Sequence, residues 1–134
     1  MEMIRDIGNT HIEIILDNRL WGSVGNSAEG KTFIANILAT QSDICVITYN
    51  ENFNSDDIIN ILSKQNYNFV FLDRADLYYD RQINEVVKEL IKRCPVFIDF
   101  KCWDNFYDIA PSFANICFKE NEVKIIETND VRRC

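Results

Sequence analysis

Glycine, proline, histidine and clustered basic charge are all scarce in this chain, and each scarcity excludes something. With only 4 glycines and 2 prolines there is little material for linkers, and no low-complexity tract or internal repeat interrupts the sequence. The 134 residues therefore read as one domain, 1–134, long enough for a single core. The only histidine is His11, and Cys45, Cys94, Cys102, Cys117 and Cys134 form no CxxC pair, so zinc-ligand spacing is absent. Four of these cysteines stand in or beside apolar runs, where a reduced, buried thiol is expected.

Basic residues number 14 against 21 acidic ones, a formal charge of −7. A broad nucleic-acid footprint needs clustered lysine and arginine. Lys88 with Lys92-Arg93, and Arg132-Arg133, are small groups that read as solvated surface. No apolar run approaches membrane-spanning length, and "MEMIRDIGNT" lacks a signal-peptide apolar region. The expectation is a soluble protein of a reducing cytoplasm with neither membrane nor nucleic acid as partner.

The remaining composition, 47% hydrophobic and 26% charged, is that of an ordinary folded protein. "HIEIIL" (11–16) reads as a strand, with Asp17-Asn18 as a tight turn into a second strand, "RLWGSV". "GKTFIANILA" (30–39) carries Phe33, Ile34, Ile37 and Leu38 at helical spacing. "DICVITY" (43–49) follows as a strand, and Ser55 with Asp56-Asp57 opens a helix.

"YNFVFLD" (67–73) predicts a strand buried on both faces and ending at Asp73. A helix from about Asp80 to Arg93 has an acidic start and a basic end that suit the helix dipole. "PVFIDF" is a further buried strand, and "ANICFKENEVKIIET" a closing hairpin that turns near Glu120-Asn121. Alternating strands and helices predict an α/β fold, a three-layer sandwich around a mainly parallel sheet, with antiparallel hairpins added at both ends. Ligands of such sheets sit at the carboxyl ends of the strands, where Gly25, Asp73 and Asp99 should gather.

Glycine is rare, yet Gly22, Gly25 and Gly30 fall within nine residues. Gly25-Asn26-Ser27-Ala28-Glu29-Gly30-Lys31-Thr32 satisfies the pattern G-x-x-x-x-G-K-[ST], between an apolar strand and an amphipathic helix. The chemistry behind this spacing is anion binding. Consecutive backbone N–H groups converge on phosphate oxygens, and the first helical turn adds unpaired donors and the positive dipole end. Lys31 would reach the outer phosphates, Thr32 would offer its hydroxyl to magnesium, and Phe33 closes the segment.

On these residues the chain resembles the P-loop NTPase superfamily, in the branch of RecA-like, AAA+ and ABC proteins, as a small single-domain member. That resemblance implies a P-loop NTPase core that binds ATP and Mg2+. Asp73 would take the Walker B role, holding magnesium through water, with Lys31 at the phosphates. The glutamate that usually follows is replaced by Arg74, and Asp76 is the nearby candidate to orient water. Asp99, with Lys101 nearby, stands where relatives sense the γ-phosphate, and no LSGGQ signature occurs. Trp21, Trp103, Tyr78 and Tyr79 read as core or rim packing before base stacking.

Three functions follow from this reading. One is Mg-dependent nucleoside triphosphate binding with slow hydrolysis, completed by a protein partner or a second copy. Another is a non-catalytic nucleotide-binding module. A small-molecule kinase is the weakest, since no acceptor pocket, arginine-rich lid or catalytic base is recognisable.

Overall fold

Eight strands make one mixed sheet in the computed structural model, which describes residues 1–24, 31–100 and 111–128. In chain order these are β1 (Glu2–Ile7), β2 (Thr10–Ile15), β3 (Leu20–Val24), α1 (Lys31–Leu38), β4 (Ile44–Ile47), α2 (Ser55–Ser63), β5 (Phe69–Leu72), α3 (Arg81–Leu90), β6 (Val96–Ile98), β7 (Ser112–Lys119) and β8 (Glu122–Thr128). The strand order is β1-β2-β8-β7-β3-β6-β5-β4. Antiparallel pairing joins β1 to β2 and β7 to β8, and the other pairings are parallel. The fold is thus α/β with one eight-stranded sheet and three α-helices among the described residues.

The helices form where the local chemistry prescribes. α2 starts at a reciprocal capping box: the Asn54 side chain accepts from the Asp57 N–H while the Asp57 carboxylate accepts from the Asn54 N–H. The helix thus begins at Ser55, as expected from sequence, with Asn54 as its cap. Asp80 caps α3 by accepting from the Ile83 N–H at 2.9 Å. β5, "FVFL", is buried at every position and alternates between two cores. Phe69 and Phe71 pack with Ile34, Ala35 and Leu38 of α1. Val70 and Leu72 pack with Ile58 and Leu62 of α2 and Ile83, Val87 and Leu90 of α3.

The N-terminal hairpin differs from expectation. Its turn is Gly8-Asn9, not Asp17-Asn18, with Ile7 opposite Thr10. Gly8 takes φ +60, which the tight primed turns of hairpins require and which glycine adopts without strain. β2 and β3 do not pair at all, because the β7–β8 hairpin stands between them. The Asp17–Arg19 connection crosses that hairpin, and the Asn18 amide donates to Ser112 Oγ at 2.7 Å at the start of β7. Two successive strands with a short polar link look the same in sequence whether they pair or cross. The C-terminal hairpin turns at Glu120-Asn121, where Asn121 takes a left-handed φ of +58.

The sheet curls. β1 and β4 stand at opposite ends of the strand order, yet Met3 and Ile44 belong to the same core cluster as α1. Arg5 of β1 donates to Asp43, just before β4, through both guanidinium nitrogens, the Nη1–Oδ1 contact being 2.7 Å. The Asn68 amide also donates to Asp43, at 2.8 Å. The Arg5 hydrogen bond, ahead of that from Asn68, holds the Asp43 carboxyl well below the usual carboxylate range. A depressed carboxyl contributes stability above its unfolded pKa of about 4 and loses it as pH falls further. Arg5→Ala is therefore expected to cost about 1 kcal/mol at neutral pH. Urea unfolding should show that difference shrinking progressively below about pH 4; a difference independent of pH would contradict the tie.

Among the described residues no helix is long and apolar enough to cross a membrane. Cys45 and Cys94 are buried, and burial pushes the Cys45 thiol up to about 11, which keeps it unreactive. Cys117 departs from the expected pattern by being exposed, since β7 turns it away from the core that Ala114 enters. Cys102 and Cys134 lie outside the described residues.

Candidate functional site

The parallel run β7-β3-β6-β5-β4 brings the carboxyl ends of β3, β4, β5 and β6 to one rim. β6 lies between β3 and β5, so the residues that follow each strand become neighbours. Four polar side chains are buried there: Ser23 on β3 at 3% exposure, Lys31 at the head of α1 at 4%, Asp73 after β5 at 2% and Asp99 after β6 at 2%. Burying charge is costly unless it is paired. Three of the four are paired with one another.

Lys31 Nζ donates to Asp99 Oδ1 at 2.9 Å and to Ser23 Oγ at 3.3 Å, and the Ser23 hydroxyl donates to Asp99 Oδ1 at 2.7 Å. Ser23 carries no motif signature, and its role was not legible from sequence. Its only signal is a polar residue at the inward end of an apolar strand. Asp99, for which the resemblance implies a γ-phosphate sensor and the sequence equally allows a plain strand-end aspartate, holds the lysine with its carboxylate.

Asp73 is the exception. Its backbone is fixed, the N–H donating to Ile47 O at 2.8 Å and the carbonyl accepting from the Tyr78 hydroxyl at 2.8 Å. Its side-chain Oδ1, however, is buried with no hydrogen-bond partner among the described residues. Burial first, and the neighbouring Asp99 charge second, push the Asp73 carboxyl up to about 6, against a smaller opposing pull from Arg74 and Lys31. An orphaned buried oxygen is rare in native proteins and calls for a ligand, an ion or a water.

Arg74 follows in the left-handed region, φ 51 and ψ 48, where a non-glycine residue is strained. That turn sends the chain sharply off the end of β5 into a 3-10 turn, Ala75–Leu77. The Ala75 N–H donates to Asp99 O at 2.8 Å, which locks the Asp73 and Asp99 strand ends together. Asp76 lies exposed on this turn, close enough for its charge to raise Asp73 further. Tyr78 is spent on the carbonyls of Asp73 and Ile47, and burial raises its hydroxyl far above the ordinary range. Tyr79 meets Phe100 edge-on at 5.1 Å, and Trp21 is fully buried with its indole N–H on Asn18 O at 2.8 Å. These three aromatics are packing residues.

Thr32 and Phe33 stand exposed in the first turn of α1. Gly25, Asn26, Ser27, Ala28, Glu29 and Gly30, with Lys101 and Trp103, lie outside the described residues. Among the described residues no three histidine, cysteine or acidic side chains converge as a metal cage. Magnesium does not need one, since it is usually held by one or two carboxylates together with waters and substrate phosphates. Asp73 and Thr32 carry oxygen donors of that kind. A groove of about 470 Å3 lined by Met1–Arg5 and Asn68 lies away from this rim, along β1 and at the amino end of β5.

No family model matches the chain, and no curated protein matches it. Among solved structures it is similar to a chain in a model of ribosome-bound archaeal Pelota and ABCE1, with a TM-score of 0.46 and 11% identity. That likeness covers 94% of this chain and 33% of the other, so the chain spans about a third of the one it matches. Likeness this weak carries no argument. The resemblance to the P-loop NTPase superfamily is therefore corrected: a motif of eight residues is not matched by any family model, and the sheet is curled and mixed. A short glycine-lysine pattern constrains one loop, whereas family membership needs agreement along the whole chain.

Proposed function

We propose that this rim binds a magnesium-bound nucleoside triphosphate, ATP among them, at the head of α1. The observation that supports it is the buried Lys31 at the first position of α1, held by Asp99 and Ser23, beside Asp73 with its unpartnered buried oxygen. We read α1 in one core and α2 with α3 in the other as a three-layer arrangement that presents this rim. In this account Asp99 holds the ammonium in place until a phosphate oxygen replaces the carboxylate. Lysine has three donors, so Ser23 can be kept while Asp99 is exchanged. Asp73 and the Thr32 hydroxyl would hold the magnesium, which when bound neutralises phosphate charge.

Hydrolysis by the isolated chain is slow in this account, because Arg74 stands where a water-orienting carboxylate is wanted and Asp76 is exposed to solvent. A protein partner or second copy would complete the site. The same Arg74 favours the second reading, a nucleotide-binding module that performs no chemistry.

Thermal unfolding tests the proposal. ATP with magnesium at a hundredfold excess over its dissociation constant should stabilise the protein by roughly 2.7 kcal/mol. ATP with EDTA should give clearly less. Phosphate release followed in parallel should be low alone and rise with a partner if the first reading holds, and stay absent if the second does. No shift at millimolar ATP with magnesium would end both.

A further inference from the structure

Two large aromatic side chains stand exposed beside the head of α1. Phe33, two residues beyond Lys31, is 52% exposed and Phe118 of β7 is 38% exposed. Their ring centroids are 6.3 Å apart with the planes tilted by 58°. The sheet explains how they meet. β7 runs parallel to β3 with Asn115 opposite Val24, so residues 116–119 continue past the end of β3. Phe118 shares the strand parity of Ala114 and Ile116, which pack on the α1 core, and so faces the helix.

On a helix, residues two apart leave roughly 200° around the axis. Lys31 accordingly turns to Ser23 and to Asp99 beyond β6, and Phe33 turns to β7, on the other side of β3. The head of α1 is flanked by an ammonium on one side and an open aromatic pair on the other.

We infer that Phe33 and Phe118 form the platform on which the base of the nucleotide stacks. The inference rests on the proposed function, with the triphosphate at Lys31. Phenyl rings offer a π-face and no hydrogen-bond donor or acceptor, so the platform takes any base without reading its edge. The ligand class is therefore nucleoside triphosphates with little base preference. Base–aromatic stacking of this kind is worth about tenfold in affinity or more.

The test is calorimetric titration of ATP, GTP and inorganic tripolyphosphate, each with magnesium, into wild type, Phe118→Leu and Phe118→Trp. Leucine keeps the apolar strand position without an aromatic face, and tryptophan keeps the face. Wild type should bind ATP and GTP within a few-fold of each other, and both about tenfold or more tighter than tripolyphosphate. Phe118→Leu should lower the ATP to tripolyphosphate ratio several-fold, leaving what Phe33 alone provides, and Phe118→Trp should preserve it. Wild type binding tripolyphosphate as tightly as ATP would overturn the platform and leave the phosphate site standing, as would Phe118→Leu retaining the full ratio. Failure of all three ligands on wild type would remove the phosphate site, and the platform with it.

Discussion

Lys31→Met is expected to lower the stability of the free protein by about 3 kcal/mol, at the lower end of what breaking a buried ion pair costs. The reason is Asp99, 2% exposed, which among the described residues would keep the Ser23 hydroxyl alone as a side-chain donor to its charge. For a domain whose whole stability is of order 5–15 kcal/mol, that is a large fraction. Combining Lys31→Met with Asp99→Asn should recover most of the loss, because the neutral amide oxygen still accepts from Ser23 and neither member of the pair leaves an unpaired charge. Urea unfolding of the two variants beside wild type measures this. A single variant as stable as wild type would mean that Lys31 and Asp99 are not paired in solution. The double variant keeps the fold and lacks the ammonium, which makes it the proper control for binding.

Asp73→Asn should act in the opposite direction. The Asp73 carboxyl, pushed up to about 6, binds its proton more tightly in the folded than in the unfolded chain. Stability is therefore lost as pH rises from about 4 through 6, and is level above that. With about two pK units at 1.36 kcal/mol each, the ionised carboxylate costs up to about 3 kcal/mol at pH 8. Asparagine carries no such charge. In EDTA at pH 8 the variant should unfold several degrees above wild type, and at pH 4 the two should coincide. Taking the difference between the two proteins removes other titrating groups, such as Asp43, from the comparison. The same variant should lose the magnesium-dependent part of the ATP shift. A residue that weakens the free protein and strengthens the complex is the signature of a site kept for a ligand. An asparagine variant less stable than wild type at pH 8 would contradict this account of Asp73.

Much of the parallel half of the fold was legible because its signals are local. "FVFLD" is short, apolar throughout and punctuated by Asp73, and β5 is buried at every position as expected. Ile83, Val86, Val87, Leu90 and Ile91 stand at helical spacing as the core stripe of α3; Ile83, Val87 and Leu90 are buried, and Val86 and Ile91 pack partly buried against the same core. The Gly8-Asn9 turn is equally local, but "EMIRDI" is half charged and so carries a weak strand signal. What stayed hidden is non-local. The insertion of β8 and β7 between β2 and β3, and the approach of Arg5 to Asp43, depend on pairings that no window of sequence contains. At the site, Lys31 is marked by the glycine spacing and Asp73 by the resemblance alone, whereas Ser23 and the capture of Lys31 by Asp99 follow from β3 and β6 lying side by side. Phe118 was missed for the same reason, since only the register of β7 on β3 carries it past the strand end to Phe33.

The most direct test of the central claim is calorimetric titration of ATP with magnesium into wild type and into the Lys31→Met, Asp99→Asn double variant. Wild type should bind one equivalent, and the folded double variant should bind roughly ten- to a hundredfold more weakly, the scale set by losing a charged hydrogen bond of 1.5–3 kcal/mol. Equal affinities in the two proteins would show that Lys31 does not hold the phosphates.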